Sequence, residues 1–580
     1  MHVVATAGHV DHGKSTLVRA LTGREPDRWA EERRRGLTIG LGFAWTTLPG
    51  GDPVALVDVP GHERFVPTML AGVGPVPAVL FVVAADQGWQ PQSAEHLAAL
   101  DALGVRHGLL VITRCDLADP GPASEQAQVQ LRRTSLRDIP VVHVSATAGT
   151  GLDELRHALG RLCAGLPEPD VQADVRLWID RSFSLRGVGT VVTGTLAAGT
   201  IRVGDALSHQ VRGLQSMEQD ADEVRAVTRV AVNLRGVDRD EVQAGDALTT
   251  PGAWTRAAEI DVALAVETQR ELHLHIGSAD VAVTVRRLGP HSARLRLARP
   301  LPLRIGDRVL LRDPGLRVIV AGADVLDLHP PGLVRRGDAV RRDAELAELI
   351  GQPLSVVAER LLHRVGFMAE SQFRVHGLPV TGTRVGAWRA HPDRWARLVE
   401  RVPTVVDRWL DENPLRVNGI PVDAVAGELE LPSGVAARLV QAAGLPIVDG
   451  HVPGRARLPR AVELALAALT ADLAGAPFAA PTADRLDELG LGRRELAAAH
   501  AADRILLLPG GIVLLPGAQR RAAEILAALP QPFTVSQARR ALDTSRRVAL
   551  PLLGLLDQTG VTERLDGDLR RTVTAVAPRR

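Results

Sequence analysis

The chain has 580 residues, which at about 100–200 residues per domain predicts three to five domains. Hydrophobic residues make up 46% and charged residues 23%, and the formal net charge is +1, which excludes a disordered or strongly polyionic chain. No apolar run reaches the roughly 18–20 residues that cross a bilayer, and a glycine-rich motif from Gly8 leaves no room for a signal peptide, so we expect a cytoplasmic protein without membrane contact. The two cysteines form no CxxC pair and predict neither a zinc site nor a disulfide framework.

The basic residues are almost all arginine, and they are concentrated toward the C-terminal end of the chain. Lys14 is the only lysine, and every other Lys/Arg position holds arginine, so Lys14 marks a place where a compact ammonium group is required. The segment 517–580 holds 11 arginines and 6 acidic residues. This local excess of five positive charges predicts an acidic partner for the C-terminal end, with nucleic acid the first candidate.

A phosphate loop of the form G-x-x-x-x-G-K-S runs from Gly8 to Ser15, between a predicted strand (1–7) and a predicted helix from Ser15. The glycines let backbone amides approach phosphates, and the helix N-terminus adds its positive dipole end. Lys14 is expected to reach the β- and γ-phosphates, and the Ser15 hydroxyl to bind Mg²⁺. The residues predicted to hold the phosphates are His9, Val10, Asp11, His12, Gly13, Lys14, Ser15 and Thr16.

Two switch-like motifs follow the phosphate loop. Thr38, within 35–39, is predicted to supply the second hydroxyl to Mg²⁺. Asp58 follows the apolar strand 54–57 and is expected to hold the water shell of the metal. The Gly61 amide would contact the γ-phosphate, and His62 would orient the attacking water as the catalytic residue. The sequence shows no arginine finger, so hydrolysis is expected to be slow until a partner completes the site.

The base-recognition motif reads Thr113-Arg114-Cys115-Asp116 after the apolar strand 109–112. The Asp116 carboxylate accepts two hydrogen bonds from the N1–H and 2-amino groups of guanine, which adenine does not offer. Thr113 is expected to keep a hydroxyl bond and Arg114 to stack over the base. Ser145 and Ala146, after strand 141–144, complete the predicted nucleotide site. The five motifs in this order predict a GTPase.

The middle of the chain changes to a β pattern after the Pro-rich break at 166–169. Short strands with Gly-Asp turns predict one small β-barrel over 169–252 and a second over 253–328, behind a GTPase domain over 1–168. His273 and His275 share one face of a strand, where a structural role is favoured over metal binding.

The remaining residues, 329–580, repeat a helix–turn–helix–hairpin pattern about four times, which is typical of tandem winged helices. The predicted fold is therefore multidomain: an α/β P-loop GTPase domain, two β-barrels and a C-terminal array of winged-helix domains. The predicted winged units cover about 335–408, 409–458, 459–516 and 517–580. In the last unit, arginines at the start of the second helix and in the wing are predicted to grip nucleic acid: Arg546, Arg547, Arg564, Arg570 and Arg571.

The motifs of the first domain resemble those of the translational GTPases related to elongation factor Tu: Gly-His-Val-Asp-His-Gly-Lys-Ser, Arg-Gly-Leu-Thr-Ile and Asp-Val-Pro-Gly-His-Glu. Thr113 and Arg114 depart from the Asn-Lys usual in that family. The runs 180–183, 188–195, 211–215 and 229–236 resemble the selenocysteine-specific elongation factors.

The resemblance implies a GTPase that uses GTP and Mg²⁺, acts as a monomer and has its hydrolysis stimulated by the ribosome. It implies delivery of selenocysteinyl-tRNA to UGA codons marked by a messenger RNA hairpin, which makes RNA the expected ligand of the winged helices. The residues expected to form the aminoacyl pocket, where positive charge would favour a selenolate, are Asp180, Arg181 and Arg235.

Two alternatives stay open at this point. A GTPase subunit of a sulfate-activating enzyme shares the front half but gives no use for the winged array, and a GTP-sensing DNA-binding regulator explains the array but not the barrels.

Overall fold

The computed structural model describes residues 1–26, 38, 40–453, 458–565 and 567–573, and these form two compact units. The first unit contains Met1–Arg364 and Ala369–Thr381, and the second contains Val365–Met368 and Gly382–Arg580. Within the described ranges, no helix combines the length and apolar character that a bilayer crossing requires.

The first domain is a six-stranded sheet covered by helices. The sheet order is β2-β3-β1-β4-β5-β6, with β2 antiparallel to β3 and the other pairs parallel. β4 is buried at every position because helices cover both faces of the sheet, which explains its unbroken apolar run. The strands are β1 His2–Ala7, β2 Gly42–Thr47, β3 Pro53–Asp58, β4 Ala78–Ala84, β5 His107–Thr113 and β6 Val141–His143, and the helices are α1 Lys14–Thr22, α2 Val66–Val73, α3 Pro91–Leu103, α4 Pro120–Leu131 and α5 Leu152–Ala164.

Two β domains follow. The first has a five-stranded sheet of order β12-β11-β14-β9-β8 and two two-stranded sheets around one apolar core, and the second is a closed six-stranded barrel of order β16-β19-β18-β17-β20-β21. The strands of the first are β7 Arg176–Trp178, β8 Arg181–Leu185, β9 Gly189–Leu196, β10 Thr200–Arg202, β11 Val211–Ser216, β12 Gln219–Ala221, β13 Glu223–Arg225, β14 Thr228–Leu234 and β15 Ala247–Thr249. Those of the barrel are β16 Thr255–Ala263, β17 Glu271–Ile276, β18 Ala279–Arg287, β19 Ser292–Leu303, β20 Arg308–Asp313 and β21 Val318–Asp327.

Three helices, α6 Asp338–Ala347, α7 Leu354–Val365 and α8 Glu370–His376, follow the barrel. A buried ion network fixes α6 and α7 to it. Asp261 accepts from Arg294 Nε (2.7 Å) and Arg342 Nε (2.8 Å), and Asp327 accepts from Arg342 and Arg364. Asp261 and Arg342 are 0% and 5% exposed, so these charges are stable only because each has its partner.

The second unit is a series of short helices and small hairpins. Its helices are α9 Pro392–Glu412, α10 Val422–Glu428, α11 Ala436–Ala442, α12 Arg460–Ala474, α13 Ala483–Glu488, α14 Arg493–Ala501, α15 Ala518–Ala527, α16 Val535–Ala541 and α17 Arg546–Gln558. Its strands are β22 Phe367–Ala369 (whose last residue belongs to the first unit), β23 Thr383–Val385, β24 Trp388–Ala390, β25 Ile420–Pro421, β26 His451–Val452, β27 Leu506–Leu508, β28 Ile512–Leu514, β29 Phe533–Thr534, β30 Thr562–Arg564 and β31 Leu569–Thr572. The helix–turn–helix–hairpin order predicted from the sequence recurs here.

The last two predicted winged segments share one core. Phe478, Leu508 and Leu514 pack in the same buried cluster as Phe533 and Leu552. The hydroxyl of Thr544 also donates to the Phe478 carbonyl oxygen (2.5 Å). The side chains on the two sides of residue 517 therefore stabilise each other.

Candidate nucleotide and RNA sites

The phosphate loop joins β1 to α1 as predicted, and its glycines are required by the backbone. Gly8 has φ +133° and a Cβ there would collide with the Val82 carbonyl oxygen, while Gly13 (φ +80°) caps α1. The Lys14 ammonium is 6% exposed and donates to the carbonyl oxygens of Gly8 (2.9 Å) and His9 (2.7 Å). Burial lowers the pKa of Lys14 to about 8, so the site favours a compensating anion beside the ammonium.

Next to Lys14 in the chain, the hydroxyl of Ser15 lies within hydrogen-bond distance of the side chains of Thr38 and Asp58. The Ser15 hydroxyl lies 3.0 Å from the Thr38 hydroxyl and donates to Asp58 Oδ2 (2.6 Å), and Thr6 Oγ1 donates to Asp58 Oδ1 (2.8 Å). Two hydroxyls and a carboxylate form the oxygen donor set that Mg²⁺ takes in phosphate sites. The other residues of the run 35–39 lie outside the described residues.

Gly61 lies directly against the phosphate loop, since a Cβ at this position would be 2.6 Å from the Val10 nitrogen and 2.5 Å from Lys14 Nζ. The neighbouring His62 is half-buried, and its Nδ1 accepts from the Arg64 backbone N–H (3.2 Å). The neutral ring then carries its proton on Nε2, which remains available to hold a water molecule. The structure thus places His62 one residue from the glycine that contacts the phosphate loop.

Two α3 side chains that the sequence analysis missed support the loop. The Gln92 amide oxygen accepts from the Val10 N–H (3.0 Å), and His96 Nδ1 accepts from the Gly8 N–H (3.0 Å). Burial lowers the pKa of His96 to about 3, so the imidazole is neutral and its Nδ1 accepts at pH 7. Gln92 and His96 are four residues apart in the helix that follows the apolar strand β4. This i, i+4 spacing was the sequence signal that could have placed both side chains on one face of the helix.

The buried His12 also stays neutral, because burial lowers its pKa to about 4. Its Nδ1 lies 3.3 Å from the Val82 carbonyl oxygen, so it anchors the loop to β4. Asp11 and Thr16 are exposed at the loop and at the first turn of α1.

The base-recognition segment has Asp116 exposed, with its Oδ1 held by the Ser145 hydroxyl (2.6 Å). Arg114 (φ +58°) pairs with Asp86 (3.1 Å). Thr113 is buried and donates to the His12 carbonyl oxygen (2.7 Å), so it links this segment to the phosphate loop. Ala146 directly follows Ser145 on the same loop.

Of the three residues predicted to form the aminoacyl pocket, Asp180 and Arg181 lie near each other and near Arg229. Asp180 is paired with Arg229, whose Nη2 lies 2.7 Å from Asp180 Oδ1, and it accepts from Thr193 Oγ1 (2.8 Å). Arg229 and Arg181 approach the Phe43 ring, at 3.9 and 5.5 Å from its centroid.

Arg235 is not part of this group. Arg229 lies on the partly exposed face of β14 and Arg235 directly follows the last residue of that strand, so six residues at about 3.3 Å each separate them by about 20 Å. The register places Arg229 opposite Thr195, near Asp180, and Asn233, two residues before Arg235, opposite Val191 toward the other end of β9. Arg229, and not Arg235, is therefore the arginine that pairs with Asp180.

In the last winged segment, most of the predicted RNA-contact arginines are on the surface. Arg546 and Arg547 are exposed in the first turn of α17, and Arg564 and Arg571 are exposed on the hairpin β30–β31. The Thr534 hydroxyl caps α16, whereas Ser545 occupies the N-cap position of α17 without a capping side-chain bond.

Arg570 does not lie on the surface, where the prediction needs it. The residue is 6% exposed, and its Nε donates to Asp557 (3.0 Å), so this ion pair stabilises the fold of the segment. Neighbouring side chains of a strand point to opposite faces, so Arg570 and Arg571 cannot both face an RNA ligand.

Three family models match the chain. "Elongation factor Tu GTP binding domain" matches residues 1–164, "Selenocysteine-specific elongation factor, beta-barrel domain" matches 255–332, and "Elongation factor SelB, winged helix" matches 524–572. The predicted GTPase domain of the elongation factor Tu type is confirmed.

Curated relatives agree with these models. The selenocysteine-specific elongation factor of Desulfomicrobium baculatum is 35% identical over 391 residues, covering 63% of this chain and 62% of the relative. That of Escherichia coli is 38% identical over 352 residues, covering 58% of this chain and 56% of the relative. The alignments thus span less than two thirds of either relative. The translation initiation factor 2 subunit gamma of Thermococcus kodakarensis is 28% identical over 388 residues, 54% of this chain and 94% of the relative.

A solved structure shares the fold along nearly the whole chain. The crystal structure of a bacterial selenocysteine-specific elongation factor, EF-Sec, superposes with a TM-score of 0.78 at 24% identity and covers 99% of this chain and 100% of that one. The predicted fold class, a P-loop GTPase domain followed by β-barrels and winged helices, is confirmed.

Proposed function

We propose that this chain, which belongs to the SelB-type members of the elongation factor Tu-like GTPases, delivers selenocysteinyl-tRNA to the ribosome at UGA codons marked by a messenger RNA hairpin. The observation that carries the proposal is the combination, in one chain, of a GTP-binding domain with SelB-type barrel and winged-helix domains. Neither a sulfate-activating GTPase subunit nor a GTP-sensing DNA-binding regulator accounts for that combination.

The nucleotide site supports GTP hydrolysis with a bound Mg²⁺. Ser15, Thr38 and Asp58 would hold the metal, which when bound neutralises negative charge on the β- and γ-phosphates. Lys14 binds the same phosphates, and Asp116, held by Ser145, reads guanine. His62 would position the attacking water through Nε2, and the ribosome would supply the stimulation that the chain lacks.

The aminoacyl pocket would be formed by Asp180, Arg181 and Arg229 beside Phe43. A selenol ionises more readily than a hydroxyl, so a guanidinium favours a selenolate over the neutral side chain of serine. Asp180 is 5% exposed at its side chain and paired with Arg229, which fixes the direction of that guanidinium. The pocket thus offers charge complementarity to selenocysteine.

The messenger hairpin would bind the last winged segment through Arg546, Arg547, Arg564 and Arg571. Exposed arginines at a helix start and on a hairpin wing suit phosphates and a splayed base. We further propose that the protein acts as a monomer in the cytoplasm, where its tRNA, messenger and ribosome partners are found.

A comparison of two aminoacyl groups on one tRNA tests this function. The full chain loaded with GTP should bind selenocysteinyl-tRNA at least about tenfold more tightly than seryl-tRNA of the same sequence in a filter-binding assay, a difference of about 1.4 kcal/mol. Equal affinities, or no binding of either tRNA, would contradict the proposal.

A further inference from the structure

A cleft of about 630 Å³ lies within the second unit, between the turn 413–419 and helix α14. The proposed function assigns no role to it, and the arginines expected to contact the hairpin lie elsewhere, on α17 and β30–β31.

The turn that forms one wall of the cleft is held in place by apolar packing on its other side. Leu415 and Val417 pack against the apolar core formed by residues 458–513, while Arg416 and Asn418, which alternate with them, are exposed and line the cleft. The Arg416 N–H donates to the Asn413 carbonyl oxygen (2.9 Å), and the Gly419 N–H donates to the Arg416 carbonyl oxygen (3.0 Å). The wall is therefore preformed.

The opposite wall is one face of α14. Arg494, Ala497, Ala498 and Ala501 follow i, i+3, i+4, i+7 spacing, which places them along one side of the helix. The three alanines have short side chains and form an apolar floor, above which the cleft volume leaves room for a ribose or a base. Arg494 lies in the first turn, where the helix dipole disfavours a cation by about 0.3–1 kcal/mol, so helix stability does not explain its presence.

The two arginines carry charge that the described residues do not neutralise. Elsewhere in the unit, Arg485 pairs with Asp472 (2.8 Å) and Arg504 with Glu463 (2.7 Å). Arg416 and Arg494 form no ion pair with any carboxylate in the described parts of the chain. Two unneutralised guanidinium groups in one cleft suit phosphate oxygens, which they bind in a bidentate manner.

Among the described residues, the other polar side chains of the lining are the carboxylate of Glu412, which forms no ion pair with either arginine, and neutral groups such as Asn418 and His451. His451 is fixed by the bond between its Nδ1 and the Asp449 carbonyl oxygen (2.9 Å), which leaves Nε2 as an acceptor. Pairing of β25 with β26 places His451 opposite Pro421, and Gly419 permits that pairing because a Cβ there would collide with the Val452 carbonyl oxygen. An imidazole acceptor and the amide of Asn418 suit ribose 2′-hydroxyls and base edges.

We propose that this cleft is a second RNA site, which binds the phosphodiester backbone of a single RNA strand through Arg416 and Arg494. The inference rests on the proposed function for its choice of RNA as the partner. A cleft of about 630 Å³ has the size of a small-ligand site and holds a few nucleotides of one strand rather than a duplex, so the expected ligand is unpaired RNA next to the hairpin.

The test compares two double variants of the full chain. Arg416→Ala/Arg494→Ala removes both cleft charges, and the matched control Arg397→Ala/Arg401→Ala removes two exposed arginines one turn apart on α9. Binding of a fluorescein-labelled 12-nucleotide single-stranded RNA is followed by anisotropy between 50 and 200 mM salt. The cleft variant should bind at least about tenfold more weakly, and its salt slope should fall by about 1.4, or about 0.7 per lost phosphate contact. The control should stay within about twofold of the unmodified chain.

A third variant separates a cleft from a general charge effect. Ala497→Trp fills the floor without changing charge and should weaken the single-stranded RNA by at least about fivefold. The RNA site is overturned if the cleft double variant and its control lose affinity equally, or if Ala497→Trp binds as the unmodified chain does. Displacement of the RNA by inorganic phosphate or GMP at millimolar concentration would also overturn it, and would assign the cleft to a free phosphate ester. GTP and selenocysteinyl-tRNA binding are measured on the same variants, so that failure of the proposed function is detected separately.

Discussion

His62 follows Gly61, which lies against the phosphate loop. The Nδ1 atom of His62 accepts a hydrogen bond from the Arg64 backbone N–H, which fixes the orientation of the ring. If His62 positions water only when the transition state forms, its loss should affect hydrolysis far more than binding. We expect His62→Ala to bind GTP within about tenfold of the unmodified chain but to lose ribosome-stimulated hydrolysis. The control is His157→Ala, an exposed histidine on α5. Equal stimulated rates in the two variants would exclude His62 from this role.

Arg229 and Arg235 form a natural pair of variants, because Arg229 lies on β14 and pairs with Asp180, whereas Arg235 lies just after the end of that strand. Arg229→Ala is expected to weaken selenocysteinyl-tRNA by about tenfold while changing seryl-tRNA less, since only the selenolate loses a charge partner. Arg235→Ala should weaken both tRNAs equally or not at all. Filter binding of both aminoacyl-tRNAs measures the effect, and retained GTP binding checks that the fold survives. The reverse result would restore Arg235 to the pocket.

The phosphate loop is the part of the candidate site whose place in the fold could be predicted from the sequence, because local geometry fixes it. A phosphate loop needs Gly8, Gly13, Lys14 and Ser15 at set positions, so spacing alone locates them. The register of β14 against β9 is a property of the folded sheet, so the pairing of Arg229 with Asp180 could not be predicted from the sequence. The burial of Arg570 could have been predicted from the sequence, because successive side chains of a strand point to opposite faces and Arg570 and Arg571 are neighbours.

The strand β17 carries a buried histidine that should make its barrel sensitive to acid. His275 is 3% exposed, and burial lowers its pKa from 6.5 to about 4. Because the native state holds His275 neutral, the unfolded chain takes up the proton first as pH falls, and stability is lost from about pH 6.5 down to about pH 4. Between pH 7 and pH 5 this amounts to about 2 kcal/mol.

His275→Gln should remove most of that pH dependence, because glutamine does not titrate. The exposed neighbour His273, 37% accessible and 2.6 Å from Asp280, provides the control His273→Gln. Hydrogen exchange of peptides from β17 and β18, corrected for the intrinsic rate, measures the local stability at both pH values. A pH dependence that survives in His275→Gln would assign it to other groups.

Helix α6 depends on the barrel for its position, and adjacent arginines on it have opposite environments. Arg342 joins Asp261 and Asp327 in the buried network, whereas Arg341 is exposed and pairs with Asp338. Arg342→Ala should weaken docking of α6 by about 3 kcal/mol or more, because two buried carboxylates lose a partner. Arg341→Ala should change it by less than about 0.5 kcal/mol. Hydrogen exchange of residues 338–347 distinguishes the two, and equal protection would show that the network does not hold the helix.

Element order in the second unit was predictable, because helical periodicity and turn residues act locally. The sequence predicts helices over 493–501 and 534–541, and the structure has α14 at Arg493–Ala501 and α16 at Val535–Ala541. The packing of α6 and α7 against the barrel was not predictable, since it depends on long-range pairing of Asp261 and Asp327 with Arg342 and Arg364. The pattern of one helix does not indicate which surface covers it.

The apolar core shared by residues on both sides of position 517 determines where the whole chain can be divided. The sequence predicts a boundary at 517, so that removing the last segment would abolish only hairpin binding. In the structure, Phe478, Leu508 and Leu514 share a core with Phe533 and Leu552 across that position. A chain ending at residue 516 therefore exposes apolar surface that is buried in the full chain, at a cost of about 25 cal/mol per Å².

We therefore expect a chain of residues 1–516 to bind GTP normally but to bind the apolar dye ANS and to lose hydrogen-exchange protection over 459–516. A chain ending at Thr381 keeps every residue of the first unit and is expected to bind GTP without this dye signal, which makes it the matched control. Both chains should fail to bind the messenger hairpin, the first because Arg546 and its neighbours are gone and the second because the whole second unit is gone. If residues 459–516 keep full protection in the shorter chain and no dye binds, the last two winged segments fold independently, and the shared core contributes little to either.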